Sequence, residues 1–204
     1  MNSPLKMITW LALGDSYTIG EAVPAKESFP FQAADMMRNE GYPFDDPVII
    51  AKTGWTTGEL QDAIVKAAPR DVFDWVSLLI GVNNQYRGLS VDEYETEFTE
   101  LLKQAIQFAG QQSSRVIVLS IPDWGYTPFA ANRDREKIHA EIDAFNQVNK
   151  KISMQSGVHY IDITPGTRQS ASRPGMLAPD GLHPSGAEYY KWAIRISEVM
   201  MLHG

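Results

Sequence analysis

The stretch MITWLALGDSYTIG, Met7 to Gly20, decides how the chain is read. Met7 to Leu13 carries no charge and reads as a strand buried on both faces. It runs directly into Gly14-Asp15-Ser16, a small polar turn, and a helical segment is expected after it. A buried strand followed by a tight turn and a helix is the first half of a β-α-β unit.

The same alternation continues outward. Further strands are expected at Pro47–Ala51, Phe73–Ile80, Arg115–Ser120 and His159–Ile163. Helices are expected at Phe29–Asn39, Thr57–Ala67, Val91–Ala109, Asn132–Gln155 and Ser185–Met201. In Val91–Ala109 the apolar residues Tyr94, Phe98, Leu101, Leu102, Ala105 and Phe108 fall on one stripe. Five apolar strands separated by helices imply an α/β fold, a parallel sheet covered by helices on both faces. No repeat or linker divides the sequence, so residues 1–204 read as a single domain. Two long loops, Ile121–Ala131 and Thr164–Pro184, are expected to have a use.

Composition narrows the function classes. The 204 residues are 44% hydrophobic and 21% charged, with a net charge of −7. Nucleic acid and anionic membrane surfaces need clustered Lys and Arg, so neither is an expected partner. No apolar run is long enough to span a bilayer. The chain has no Cys, which removes disulfides, thiolate nucleophiles and Cys-ligated zinc. The first predicted strand begins by about Met7, so no separate signal peptide is expected; the compartment stays open, as does the oligomeric state. No acidic or His spacing suggests a metal site, and no glycine loop fits a nucleotide cofactor.

In a doubly wound sheet the chemistry gathers beyond the carboxyl ends of the strands. Of the four histidines, His139 falls inside a helix and is expected to face partly toward solvent. His159 opens a strand at the opposite end of the sheet, and His203 adjoins the C-terminus. Only His183, in Pro179-Asp180-Gly181-Leu182-His183-Pro184, lies at the carboxyl rim. The spacing Asp180-x-x-His183 allows a turn that brings the carboxylate to one imidazole nitrogen. The same residues are also ordinary turn chemistry before a helix. Ser16 has three readings: a helix N-cap, part of a phosphate-binding turn such as a flavin would use, or a nucleophile.

Four blocks in order resemble the SGNH hydrolases, the GDSL-like esterase and lipase family. They are Gly14-Asp15-Ser16 with Thr18 and Gly20; Gly54 in Lys52-Thr53-Gly54-Trp55; Gly81-Val82-Asn83-Asn84; and Asp180-Gly181-Leu182-His183-Pro184. The resemblance spans nearly the whole chain. It implies a three-layer α/β/α sandwich of flavodoxin-like type and hydrolysis of carboxylic esters without a cofactor. It implies Ser16 as nucleophile, His183 as general base and acid, and Asp180 as the orienting carboxylate. It further implies an oxyanion hole made by the Ser16 and Gly54 backbone N–H groups and the Asn83 side-chain amide. Short acyl esters, acetylated sugars and lysophospholipids all fall within such a family; the alternatives are an acyltransferase of the same fold and a non-catalytic or flavin-binding module of flavodoxin type. One departure stands out: the third block usually ends in Asp, and here it ends in Asn84. Trp55, Trp124, Tyr126 and Phe129 are candidates to line the substrate site, with satellite core packing as the alternative for each. Tyr189, Tyr190 and Trp192 are expected to pack the last helix onto the sheet.

Overall fold

The structure, a computed structural model, describes residues 6–69 and 72–204. Strand β1 (Trp10–Gly14) leads into a one-turn helix α1 (Ser16–Ile19) and then α2 (Phe29–Asn39). Next come β2 (Val48–Ala51), α3 (Thr57–Ala67), β3 (Trp75–Leu79), the short α4 (Val82–Tyr86) and α5 (Val91–Phe108). The chain continues through β4 (Val116–Leu119), α6 (Arg135–Ser156), β5 (His159–Ile161), α7 (Thr164–Ser170) and α8 (Gly186–His203).

The five strands form one sheet in the order β2-β1-β3-β4-β5, and every pairing is parallel. Parallel neighbours need crossovers, and the helices supply them. Helix α2 packs on α8, while α5 packs on α3 and α6. The central strands β1, β3 and β4 are buried along their whole length, as strands covered on both faces must be. Trp10 is fully buried in β1, and its indole N–H is satisfied by the Ser77 hydroxyl of β3 at 3.1 Å. The strand order reverses between β1 and β3, which opens a crevice at their carboxyl ends.

Several boundaries differ from the sequence expectation, each for a local reason. The first strand begins at Trp10, not Met7. The Thr9 N–H is taken by the Asp74 carboxylate at 2.9 Å, and Met7 is exposed. Helix α6 begins at Arg135, three residues late, because Asp134 caps it by accepting from the Lys137 N–H at 3.1 Å. The segment Thr164–Pro184 is not all loop, since its first turns form α7. Tyr189 and Trp192 are on the buried face of α8 as expected, but Tyr190 is 51% exposed.

Candidate active site

Gly14 ends β1 where space is smallest. A Cβ there would lie 2.1 Å from the Thr18 hydroxyl oxygen and 2.5 Å from the Leu79 carbonyl. Only glycine leaves room for this close approach of β1 to Leu79 and α1. Asp15 caps α1 by accepting from the Tyr17 N–H at 3.0 Å, so the capping role falls to Asp15 and not to Ser16. Ser16 is the first helical residue, and its N–H has no intrahelical acceptor.

The last block approaches from the other end of the chain. The Ser16 hydroxyl lies 3.0 Å from His183 Nε2, across 167 residues of sequence. His183 Nδ1 lies 2.6 Å from Asp180 Oδ2. The other carboxylate oxygen, Oδ1, accepts the Leu182 and His183 backbone N–H groups, each at 3.0 Å. Burial alone would raise the Asp180 pKa, but these three hydrogen bonds outweigh it and hold the carboxyl below its usual range. An ionised Asp180 accepts only, so the ring proton sits on Nδ1 and the Nε2 lone pair faces the Ser16 hydroxyl. The Tyr17 ring packs against the imidazole at 4.9 Å between centroids.

Asp15 differs in kind. It is fully buried, one carboxylate oxygen has no hydrogen-bond partner, and burial raises its pKa to about 7. Two carboxyl groups thus flank the Ser16–His183 pair with opposite tendencies: Asp180 favours charge and Asp15 resists it.

A cleft of about 180 Å³ opens over Ser16 and His183. Gly54, Asn83, Tyr86, Trp124, Phe129 and Leu182 are among the residues that line it. Gly54 has φ +84°, a left-handed conformation that favours glycine. The Asn83 amide donates one N–H to the Trp55 carbonyl at 3.0 Å, which fixes the side chain and leaves its second N–H for the cleft. Ser16, Gly54, Asn83 and His183 therefore meet in one place. No Asp, Glu, Lys or Arg lines this cleft among the described residues.

Of the aromatic candidates, Trp124 lines the cleft, 5% exposed, with its indole N–H bonded to Gln85 Oε1 at 2.7 Å. Phe129 lines it as well. Trp55 does not: its side chain packs against the core, and only its carbonyl serves the site. Tyr126 is also turned away, stacked on His139 at 4.1 Å. His139 is partly exposed, as expected, and also has a partner inside the protein. Its Nδ1 bonds the buried Asp123 carboxylate at 2.9 Å, and Arg168 bonds the same oxygen at 2.9 Å. Tyr86 and Arg87, absent from the sequence reading, follow Asn83 at helical spacings of three and four. That spacing was the available signal.

The departure at Asn84 has a structural explanation. Asn84 is fully buried; its Oδ1 accepts the Thr57 N–H at 3.1 Å, and its Nδ2 donates to the Thr57 hydroxyl at 2.6 Å. That hydroxyl donates onward to Glu97. An Asp at position 84 would need the same single proton that Glu97 already receives.

Within an α/β sandwich, Ser16, His183 and Asp180 are thus hydrogen-bonded in series beside the cleft. The chain belongs to the GDSL-like lipase/acylhydrolase family, whose model matches residues 12–190. It is thus a GDSL-family esterase/acylhydrolase. Solved structures of the same fold include TesA, 17% identical, with TM-score 0.74 over 96% of this chain and 99% of that one. The psychrotrophic esterase EstA from Pseudoalteromonas sp., inhibited by monoethylphosphonate, is 18% identical, with TM-score 0.72 over 96% and 99%. The lipase/acylhydrolase from Enterococcus faecalis is 19% identical, with TM-score 0.71 over 97% and 96%. No curated protein matches the chain.

Proposed function

We propose that the protein, residues 1–204 acting as one domain, hydrolyses uncharged carboxylic esters of modest size through an acyl-Ser16 intermediate. The observation that carries this reading is the Ser16–His183–Asp180 relay, 3.0 and 2.6 Å between donors and acceptors, opening on the cleft that Gly54 and Asn83 line. Ser16 Oγ attacks the ester carbonyl carbon while its proton passes to His183 Nε2. Asp180 holds the ring's tautomer and stabilises the imidazolium. The carbonyl oxygen becomes an oxyanion, met by the N–H groups of Ser16, Gly54 and the Asn83 amide, neutral donors whose worth rises in a site that excludes water. The tetrahedral species collapses, the C–O bond to the alcohol breaks, and His183 returns its proton to the leaving oxygen. Water then attacks the acyl carbon, gives a proton to His183, and the acid leaves as Ser16 regains its hydrogen.

The lining supports the substrate class. Tyr86, Trp124, Phe129 and Leu182 offer apolar surface, and a cleft free of ionic side chains does not compensate a charged acyl group. Hydrolysis of p-nitrophenyl esters from acetate to long chains, wild type beside Ser16→Ala, tests the reading. Turnover on short and medium chains, reduced by several orders of magnitude in Ser16→Ala, is expected. Equal rates in the two proteins would remove Ser16 from the chemistry.

A further inference from the structure

We infer that Arg87 is a positioning residue for ester hydrolysis, clamping the backbone of Gly54 so that its N–H stays aimed into the cleft. This rests on the reading of Gly54 as an oxyanion donor. Helix α4 and its C-cap residue, Arg87, send two side chains, one turn apart, to consecutive carbonyls of the same loop. Asn83 donates to the Trp55 carbonyl at 3.0 Å, and Arg87 Nη2 donates to the Gly54 carbonyl.

The need for a clamp follows from the backbone. Gly54 has φ +84°, and beyond its chain neighbours a Cβ built there would meet only Arg87, at 3.8 Å. Glycine here has conformational freedom and little packing to restrict it. Arg87 holds the peptide plane that follows the Gly54 Cα, and Asn83 holds the one after it. The Gly54 N–H lies in the plane before that Cα, so the clamp acts on it through the backbone angles of Gly54. Arg87 is itself anchored: its guanidinium lies 3.2 Å from Glu59 Oε2. Glu59 is tied to the Thr56 N–H at 2.9 Å in the capping box of α3. The guanidinium therefore spans from the start of α3 to the Gly54 carbonyl.

Stability alone gives this arrangement little reason to exist. Both partners of the Arg87–Glu59 pair are nearly half exposed, and such pairs contribute little to folding. A charged donor on a backbone carbonyl is the stronger and more directional part. Arg87 does not line the cleft, so it acts on the reaction through Gly54 and not by contact.

The test compares Arg87→Ala, Arg87→Met and Arg87→Lys with Asn83→Ala, on a p-nitrophenyl ester. Arg87→Ala is expected to lower kcat about ten- to a hundredfold, the scale of a small misplacement of a catalytic group, with KM nearly unchanged. Arg87→Met keeps the stem and reports the same comparison if the Ala variant does not fold. Arg87→Lys, which keeps the charge but not the planar fork of donors, is expected to recover part of kcat. The wild-type to Arg87→Met ratio should be the same in about 0.05 M and about 0.5 M NaCl, because a hydrogen bond is not screened as a distant charge is. Wild-type kcat in Arg87→Met, with Asn83→Ala impaired, would overturn the clamp alone. So would a ratio that vanishes in salt, which would mark a long-range charge effect. Full activity in Asn83→Ala would instead reject the oxyanion-hole reading, and the inference with it.

Discussion

The Asp180 carboxylate holds His183 at two points. One oxygen accepts the ring Nδ1–H at 2.6 Å, and the other accepts the residue's own backbone N–H at 3.0 Å. Ring and main chain are thus referred to a single group, which leaves the Nε2 direction little freedom.

Asp180→Asn should therefore lower kcat by two to four orders of magnitude, about the cost of holding the wrong tautomer in a serine triad. KM should change far less. Single-turnover and steady-state rates on a p-nitrophenyl ester check this. Because its folded pKa is depressed, the stability Asp180 contributes is complete above the unfolded carboxylate value of about 3.9 and is lost as pH falls through the lower folded value. Asp180 thus stays ionised from pH 5 to 8, and loss of activity in that window would not come from its protonation.

Asp123 organises the wall that carries Trp124. Its buried carboxylate accepts from His139, Arg168 and the Gly125 N–H, each at 2.9 Å. Asp123→Ala leaves Arg168 half-paired and the loop unanchored, and should cost about 3–5 kcal/mol in urea unfolding. The chain-length profile should broaden at the same time, since Trp124 loses the backbone that seats it. An unchanged profile would mean that Gln85 alone holds the indole.

Asn84 and Glu97 share the Thr57 hydroxyl. Asn84→Asp alone should destabilise the protein by about 2–3 kcal/mol, because two carboxylates then compete for one hydroxyl proton in a buried place. Adding Glu97→Gln should restore part of that loss. A double-mutant cycle by chemical denaturation measures the coupling, and additive effects would dissociate the two positions.

Asp15 gives stability an unusual pH dependence. Its folded pKa of about 7 exceeds the unfolded value of about 3.9. The folded state therefore holds a proton that the unfolded state has released, and Asp15's contribution to stability is complete below about pH 4 and lost as pH rises through about 7. Asp15→Asn should gain on wild type in urea unfolding at pH 8 relative to pH 5. A pH-independent difference would show that the burial penalty is relieved in some other way.

Much of the architecture is legible in local sequence because its causes are local. Phe29–Asn39 and Thr57–Ala67 form helices with the expected bounds, and the strand cores fall where the apolar runs are. Helix α7 was not legible. Pro165 and Gly166 are poor helix formers, and its cap, Ile163, makes no side-chain bond. The turn forms because the Thr164 hydroxyl reaches Ser120 at 2.7 Å and the Thr167 hydroxyl accepts the Asp123 N–H at 3.2 Å. These partners lie more than 40 residues away.

The site divides in the same way. By itself the sequence determined that the chain ends its strands on polar turns at the carboxyl rim of a parallel sheet, since hydrophobic period and turn chemistry are properties of short segments. Its resemblance to the family marked Ser16, Gly54, Asn83, Asp180 and His183 as the candidates there. Tertiary structure alone decided that His183 Nε2 meets Ser16, that Asn83 and Arg87 grip neighbouring carbonyls, and that Trp124 faces the cleft while Trp55 and Tyr126 do not. Side-chain direction is set by the partners that fold against it, and those partners come from the far end of the chain.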